Sequence, residues 1–388
     1  MRIKDVTVAE APISSPMRNA VIDFSKMTVS VVAVTSDRTA DGEPVVGYGF
    51  HSNGRYAQTG LLRDRLVPRL LEAGPDTVVD DAGIVDPSAC RDIVMRDEKP
   101  GGHGDRAVAV GALDMALWDL AAKAVGEPLF RHLHRRLGLA EAPAGQVWVY
   151  AAGGYYHPGK GIDGLCDEIR GYLDLGYRDV KIKVGGAPLA DDMRRIEAVL
   201  DLLHPGGRLA VDANGRFDVR TALEYAAALA QYDLLWYEEP CDPLDYLTHA
   251  IVADQYPGSL ATGENLFSVP DVRNLVRYGG LRPHKDFLQM DPALSYGVSE
   301  YAGMVGVLRD AGWSPARCAP HGGHQYNLAV ASAFGLGGCE SYPRVFEPFG
   351  GFADSTPIRD GYVRLPEVPG IGIEEKPELH SLLKSTVG

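Results

Sequence analysis

From Val147 onward, short apolar runs rich in β-branched and aromatic residues recur along the chain, separated by stretches with the length of one helix and two short connections. A polar residue stands at the C-terminal end of each of the later seven runs. Strands that alternate with helices in this way predict an α/β protein in which parallel strands close into a β/α barrel. The predicted strands are 147–150, 180–184, the runs that end at 212, 238 and 264, and then 287–291, 318–321 and 337–340.

The chain before residue 140 follows a different pattern. Val29–Val34 and Val45–Gly49 are typical of two strands joined by a polar hairpin, and helix-like stretches follow them. From about Gly361 the chain no longer follows the barrel rhythm. A barrel of this kind needs roughly 250 residues, which leaves room for a second unit. We therefore predict a catalytic barrel over 141–360 and an α+β domain over 1–140, to which 361–388 returns.

Three acidic residues, Asp212, Glu238 and Glu264, stand at successive predicted strand ends in equal steps of 26 residues. The carboxyl ends of parallel barrel strands face the same side, which is where such barrels carry their active sites, so the three side chains should converge. Converging carboxylates repel one another unless a cation lies between them, and oxygen ligands suit a hard divalent ion. The spacing therefore predicts one Mg²⁺ per chain.

Glu238 is followed directly by a second acid, Glu239, and then by Pro240. Successive side chains of a strand point to opposite faces, so only one of the two can reach the metal. The pattern of residues alone leaves open which one does.

Two lysines, Lys181 and Lys183, lie two apart in a predicted strand and therefore share the barrel interior or its mouth. An ammonium close to another lysine and to a divalent cation should have a depressed pKa. Lys183 is therefore the candidate general base, with Lys181 beside it. The alternative for Lys183 is a salt bridge to a metal-site carboxylate.

Three later strand ends carry further candidates. His321 would face the substrate from the side opposite Lys183, and Asp291 at the preceding strand end can hold its other ring nitrogen and favour the imidazolium. Such a dyad can donate a proton to a leaving hydroxyl. Glu340 could donate to a substrate carboxylate if protonated, or act as an ordinary hydrogen-bond acceptor.

These residues resemble the pattern of the enolase superfamily, in its mandelate racemase-like branch. The resemblance covers nearly the whole chain, and it implies a modified (β/α)7β barrel, an N-terminal capping domain and Glu238, rather than Glu239, as metal ligand. The motifs that carry it are Lys181-Ile182-Lys183, Asp212-Ala213-Asn214, Glu238-Glu239-Pro240, Gly263-Glu264-Asn265, Asp291, His321 and the helix-like stretch 112–120.

Within that family, several segments that would form a lid over the barrel mouth are similar to D-tartrate dehydratases: Asn19 and the runs 53–56, 98–104, 153–156 and 320–325. A lid that touches the substrate sets specificity. The resemblance implies D-tartrate as substrate and oxaloacetate as product. It also implies a substrate-contacting set: Asn19, Asn53, Lys99 and Tyr156, with Lys181, His321 and Glu340, and Arg18 as a further candidate for the second carboxylate.

The residues together predict a Mg²⁺-dependent hydro-lyase. Lys183 would remove the proton beside a carboxylate, a step that a bound cation favours by stabilising the developing negative charge, and His321 would protonate the departing hydroxyl. A racemase, epimerase or dehydratase of a longer acid sugar is the nearer alternative, because the same acid and base can invert a stereocentre. A non-catalytic metal-binding barrel is the more distant one.

The composition of the chain argues against several other classes of protein. The net charge of −14 disfavours binding to nucleic acid or to an anionic membrane. The odd count of five cysteines, without a Cys-x-x-Cys motif, is typical of reduced thiols. The first residues are not typical of a signal peptide or a membrane anchor. We expect a cytoplasmic homo-oligomer that acts on a small hydroxy acid.

Overall fold

In the computed structural model, which describes residues 1–13, 15–140 and 142–388, the chain begins with a three-stranded antiparallel sheet. The sheet contains β1 (Ile3–Pro12), β2 (Thr28–Ala40) and β3 (Glu43–Phe50), in that order. The two strands predicted in this region lie within β2 and β3. The helices of the first 140 residues follow them: α1 (Thr59–Leu61), α2 (Val67–Leu71), α3 (Pro87–Val94), α4 (Asp105–Ala124) and α5 (Leu129–Leu137), with a π-helical segment at Leu62–Leu66.

A second sheet of parallel strands follows and curls into the predicted barrel. Its strands pair in the order β10-β4-β5-β6-β7-β8-β9, and β11 pairs in the antiparallel sense with the first two residues of β4, Val147 and Trp148. They are β4 (Val147–Ala152), β5 (Asp179–Lys183), β6 (Leu209–Asp212), β7 (Tyr237–Glu238), β8 (Leu260–Thr262), β9 (Phe287–Leu288), β10 (Cys339–Ser341) and β11 (Tyr362–Val363).

The segment 318–321 takes the seventh strand position. Its Cys318 pairs in parallel with Leu288, and Ala319 N donates to Leu288 O at 2.9 Å. On the other side, Glu340 N donates to Pro320 O at 3.1 Å. These bonds join β9 to β10 and close the barrel.

Seven helices connect the eight strand positions, which confirms the (β/α)7β barrel. Three of them begin at a side chain that accepts a hydrogen bond from the first turn: Asp218, Asp245 and Ser268. The helices are α6 (Ile162–Asp174), α7 (Leu189–Leu200), α8 (Val219–Leu229), α9 (Tyr246–Gln255), α10 (Val269–Tyr278), α11 (Val298–Asp310) and α12 (Gln325–Phe334). Short 3-10 turns lie at Phe24–Lys26, Pro75–Thr77, Pro315–Arg317 and Ile373–Glu375.

The last helix, α13 (Pro377–Val387), packs against β1 and β2 of the N-terminal sheet. The long helix α4 packs against β2 and β3, and its Asp119 accepts hydrogen bonds from Tyr48 N at 2.9 Å and from Ile371 N at 2.7 Å. One side chain thus ties β3 to the C-terminal segment. The domain boundaries at residues 140 and 360 stay a prediction.

Two apolar clusters form the interior. One continues from the barrel strands into the sheet, and the other lies between α4, β2 and the helices before it. Within the three described ranges, no helix is both long and apolar enough to cross a membrane.

Candidate active site

Three carboxylates meet at the C-terminal end of the barrel strands. Asp212 ends β6, Glu238 ends β7, and Glu264 follows β8 by two residues. One oxygen of each lies within 4.8 Å of the others. Burial raises the pKa of Glu238 to about 8, and the nearby Asp212 carboxylate adds to that rise. Glu264 Oε2 is buried and has no hydrogen-bond partner within the described residues. Three converging oxygens of this kind fit a hard divalent cation.

Glu239 is not one of the three converging carboxylates, although it lines the adjoining cavity. Its backbone has a φ of +40°, in the left-handed region, and its Oε1 accepts a hydrogen bond from Asn265 Nδ2 at 2.8 Å. Glu238 is therefore the member of the acidic pair that joins the carboxylate triad, in agreement with what the family resemblance implies. Glu238 Oε2 accepts hydrogen bonds from Trp236 Nε1 at 2.7 Å and from Gln289 Nε2 at 2.8 Å, and these bonds fix the orientation of the carboxylate.

Lys181 is fully buried among acidic groups. Its Nζ lies 2.5 Å from Glu238 Oε1 and 2.7 Å from Glu340 Oε1. Burial opposes the charged amine, but the two carboxylates outweigh it and hold the pKa of Lys181 well above its usual range. Lys181 is thus a fixed positive charge that offsets part of the negative charge of the triad.

Lys183 lies at the inner surface with its Nζ 2.5 Å from Asp212 Oδ2 and 5.0 Å from the centre of the Tyr155 ring. Burial favours the neutral amine, but the Asp212 carboxylate outweighs it and raises the pKa of Lys183. The depression predicted from the sequence presumes a bound cation and stays a prediction; in the geometry described, the salt bridge to Asp212 dominates. A cation bound to Asp212 would weaken that attraction and favour the neutral amine.

His321 stands with its Nδ1 3.0 Å from Asp291 Oδ2, as the sequence predicts. Burial disfavours the imidazolium, but Glu264 and Glu340 outweigh it, together with Asp291, and raise the pKa of His321 to about 9. The ring is therefore protonated near neutral pH, and its Nε2 lies 3.3 Å from the Tyr342 hydroxyl. This arrangement suits a general acid.

Glu340 accepts hydrogen bonds rather than donating them. Gly322 N donates to its Oε2 at 2.9 Å. Burial would raise its pKa, but Lys181, and after it His321, outweigh burial and lower the pKa of Glu340. These contacts favour the interpretation of Glu340 as a hydrogen-bond acceptor over that of a protonated donor.

A cavity of about 270 Å³ is lined by Glu264 of the triad and by residues of the capping region. Larger cavities of about 720 and 700 Å³ lie elsewhere, and none of the carboxylates, lysines or histidine described above lines them. We take the smaller cavity as the substrate site because Lys183, Glu264 and His321 all line it. Three further site residues are buried and do not line the cavity: Lys181, Asp291 and Glu340. Its other lining residues include Asn19, Phe24, Asn53, Arg55, Tyr155, Asn214, Asn265 and Tyr342.

Two of the predicted lid contacts, Asn19 and Asn53, line this cavity. The other three do not. The Tyr156 hydroxyl donates a hydrogen bond to Asp192 Oδ1 at 2.8 Å. The preceding residue, Tyr155, lines the cavity instead. Lys99 and Arg18 have exposed side chains outside the cavity lining.

Three lining residues, Arg55, Tyr155 and Tyr342, are not among the site residues predicted from the sequence. Arg55 and Tyr155 do fall within segments that carry the resemblance to D-tartrate dehydratases, 53–56 and 153–156. The regular spacing of strand-end residues along the chain does not indicate Tyr342. It lies two residues after the predicted site residue Glu340 and directly after the end of β10.

Comparison with known proteins agrees with this geometry. Residues 2–133 match the family model of the mandelate racemase / muconate lactonizing enzyme N-terminal domain, and residues 164–379 match that of the enolase C-terminal domain-like family. The chain belongs to the enolase superfamily, in its mandelate racemase-like branch. The fold is thus that of a known enzyme family.

The relatives include several dehydratases. L-talarate/galactarate dehydratase from Salmonella typhimurium LT2 is 26% identical over 95% of this chain and 87% of its own. Arabinonate dehydratase from Saccharolobus solfataricus is 26% identical over 70% of this chain and 71% of its own. The crystal structure of L-talarate dehydratase from Polaromonas sp. JS666, complexed with Mg and L-glucarate, is similar with a TM-score of 0.74 and 27% identity, over 96% of this chain and 94% of that one.

Proposed function

We propose that the protein is a Mg²⁺-dependent dehydratase of a hydroxy diacid and converts D-tartrate to oxaloacetate and water. The observation that carries the proposal is the placement of Lys183, His321 and Glu264 on one small cavity. A base, an acid and a metal ligand around one space are what the removal of a proton and a hydroxyl from neighbouring carbons requires.

Asp212, Glu238 and Glu264 would hold the metal. Bound Mg²⁺ supplies positive charge that stabilises the negative charge developing on the substrate carboxylate as the neighbouring proton leaves. Lys181 adds a second, fixed positive charge behind the site. Glu340 holds Lys181 and the loop after His321 in place through its contacts to Lys181 Nζ and Gly322 N.

Lys183, as the neutral amine, takes the α-proton. His321 donates the proton on Nε2 to the β-hydroxyl, so the C–O bond breaks with water as leaving group. The pair of electrons from the C–H bond becomes the C=C bond of an enol, which tautomerises to the keto acid. Asp291 keeps the His321 ring in position through the 3.0 Å contact to Nδ1.

Two observations favour a short diacid. The cavity of about 270 Å³ is at the small end of small-molecule sites, which span roughly 300–1,000 Å³. The capping residues that resemble D-tartrate dehydratases include Asn19 and Asn53, and both line it. The second candidate is dehydration of a longer acid sugar, which the names of the talarate/galactarate and arabinonate relatives favour.

The test is a panel of tartrate stereoisomers, six-carbon diacids and aldonates, incubated with the protein and Mg²⁺ and analysed for keto-acid formation by mass spectrometry. We expect loss of one water, fastest from D-tartrate. Keto acid only from the six-carbon acids would establish the second candidate. Inversion of a stereocentre with every oxygen retained would make the protein a racemase or epimerase.

A further inference from the structure

The proposed substrate carries a second carboxylate, and the cavity offers few positive charges for it. The cationic side chains that line the cavity are Lys183, His321 and Arg55. The first two transfer protons in the proposed reaction. We infer that Arg55 binds the distal carboxylate of the substrate and sets the preference for diacids. This inference rests on the proposed function, and it names a specificity residue of the same site.

Arg55 is held in place by contacts that leave part of its guanidinium free. Nη1 donates to Gly54 O at 2.8 Å, Nη2 donates to Asn265 Oδ1, and the guanidinium carbon lies 5.2 Å from the centre of the Phe267 ring. A guanidinium has five N–H donors in a planar fork, so further donors remain for a ligand. Such a fork matches the two oxygens of a carboxylate.

No acidic partner neutralises Arg55 among the residues that the structure describes. Other arginines of the capping region contrast with it, because Arg65, Arg69 and Arg106 all pair with Glu98. An arginine that lines a cavity, braced by an amide and an aromatic ring but unpaired with a carboxylate, is suited to an anionic group of a ligand.

The position of Arg55 also fits the direction of the substrate. It contacts Asn265, which follows the triad residue Glu264 directly, so the guanidinium lies beside the metal-binding end of the barrel and on the capping side of it. A diacid whose first carboxylate lies at the triad would therefore extend its second one toward the capping residues Asn53 and Arg55. Lys99, the cation that the sequence resemblance favours, is exposed outside the cavity lining.

The test compares binding of D-tartrate with binding of threonate, a four-carbon monoacid that carries a hydroxymethyl group in place of the distal carboxylate. Calorimetry in excess Mg²⁺ uses Lys183→Ala as the reference, so that neither ligand is turned over. Arg55→Ala, Arg55→Lys and Lys99→Ala are each added to that reference. A hydrogen bond to a charged group is worth on the order of a 10- to 100-fold change in affinity.

We expect the reference to bind D-tartrate on the order of 10- to 100-fold more tightly than threonate. Arg55→Ala should remove most of this preference by weakening D-tartrate alone, Arg55→Lys should keep part of it, and added guanidinium should restore binding of D-tartrate to the Arg55→Ala form. A preference that survives Arg55→Ala, or one that is lost with Lys99→Ala instead, overturns the inference.

Equal affinities of the reference for the two acids also overturn it. Thermal unfolding of each variant checks that the fold is retained, and Arg55→Lys keeps the test decisive if Arg55→Ala does not fold. Failure of the proposed function has a different signature: the unmodified protein then forms no keto acid from any diacid, whatever the binding preferences are.

Discussion

Asp291 and His321 form the contact that most directly affects the acid step, at 3.0 Å between Oδ2 and Nδ1. Asn327 Nδ2 donates to the other Asp291 oxygen at 2.9 Å, which leaves the carboxylate little freedom to rotate. A carboxylate at this place both orients the ring and favours its protonated form. Burial alone would favour the neutral ring.

We expect Asp291→Asn to lower kcat for dehydration by ~10²–10⁴-fold, the range for one general acid, with little change in the affinity for substrate. The amide keeps the shape of the side chain but not the charge that stabilises the imidazolium. Steady-state kinetics and calorimetry measure the two quantities. A kcat within about threefold of the unmodified protein would show that the dyad is not required.

At the scale of single residues, the sequence predicts where a site side chain lies better than it predicts whether that side chain is charged. The triad, Lys181, Lys183, Asp291, His321 and Glu340 all lie together, because a strand end fixes the place of its side chain. The pKa of Lys183 depends on a 2.5 Å contact to Asp212, and spacing along the chain does not contain that distance. Tyr155 lines the cavity, whereas its neighbour Tyr156 bonds to Asp192. The spacing of residues along the chain does not determine which of the two side chains faces the cavity.

At the scale of elements, β3 and α4 approach so closely that only glycine fits between them. A Cβ at Gly49 would lie 2.2 Å from Ala112 O and 2.7 Å from Ala116 N of the helix. Both are backbone atoms, so relief requires the helix and the strand to separate. This contact joins the sheet of the capping region to the helix that precedes the barrel.

Gly49→Ala should therefore lower the free energy of unfolding by about 3 kcal/mol, at the upper end of the overpacking range. Urea denaturation followed by circular dichroism measures the change. Gly145→Ala is the matched control, because a Cβ there would have no heavy atom within 4 Å, and it should be close to neutral. Equal stability of the two variants would contradict the described packing of β3 on α4.

The elements themselves were largely predictable, since the barrel repeats one strand and one helix with short connections. The seventh strand position is the exception: 318–321 joins the barrel through two backbone hydrogen bonds on each side, from Ala319 N and His321 N to one neighbour and from Gly337 N and Glu340 N of the other. The connections were less predictable. Lys99 lies in a loop between α3 and α4, and no periodic pattern places a loop relative to a cavity.

At the scale of the whole molecule, the apolar clusters do not depend on the acidic site. Removal of the metal by chelation should abolish dehydration and leave the far-ultraviolet circular dichroism spectrum unchanged, and Mg²⁺ should restore activity. Mg²⁺ should also raise the unfolding temperature, because a ligand that binds only the folded state stabilises it. Full activity in protein shown by metal analysis to be free of divalent ions would contradict the proposed reaction.

Stability should also depend on pH through a buried histidine that belongs neither to the carboxylate triad nor to the lining of the substrate cavity. His249 on α9 is fully buried, and burial lowers its pKa to about 4. Both of its ring nitrogens lack hydrogen-bond partners among the described residues. The unfolded chain, with a histidine pKa of about 6.5, binds the proton first as the pH falls, so folding stability decreases between roughly pH 6.5 and 4.

We expect His249→Leu to reduce that loss of stability by ~1–3 kcal/mol between pH 7 and pH 4.5, since one pKa unit corresponds to about 1.4 kcal/mol. Urea denaturation at several pH values measures it. His204→Leu is the control, because His204 is exposed, and it should leave the slope unchanged. An identical pH dependence in the unmodified protein and the His249 variant would show that this histidine does not contribute.

The assignment of Lys183 as base and His321 as acid is tested most directly by hydrogen exchange in D₂O. Each variant is incubated with D-tartrate and Mg²⁺, and the recovered tartrate is analysed by mass spectrometry and NMR. His321→Asn should form no oxaloacetate, yet return tartrate with deuterium at the α-carbon, because Lys183 still takes and returns the proton. Lys183→Ala should neither exchange nor dehydrate, with losses of at least ~10²–10⁴-fold for each removed group. Deuterium incorporation by the Lys183 variant with none by the His321 variant would contradict the assignment and make His321 the base.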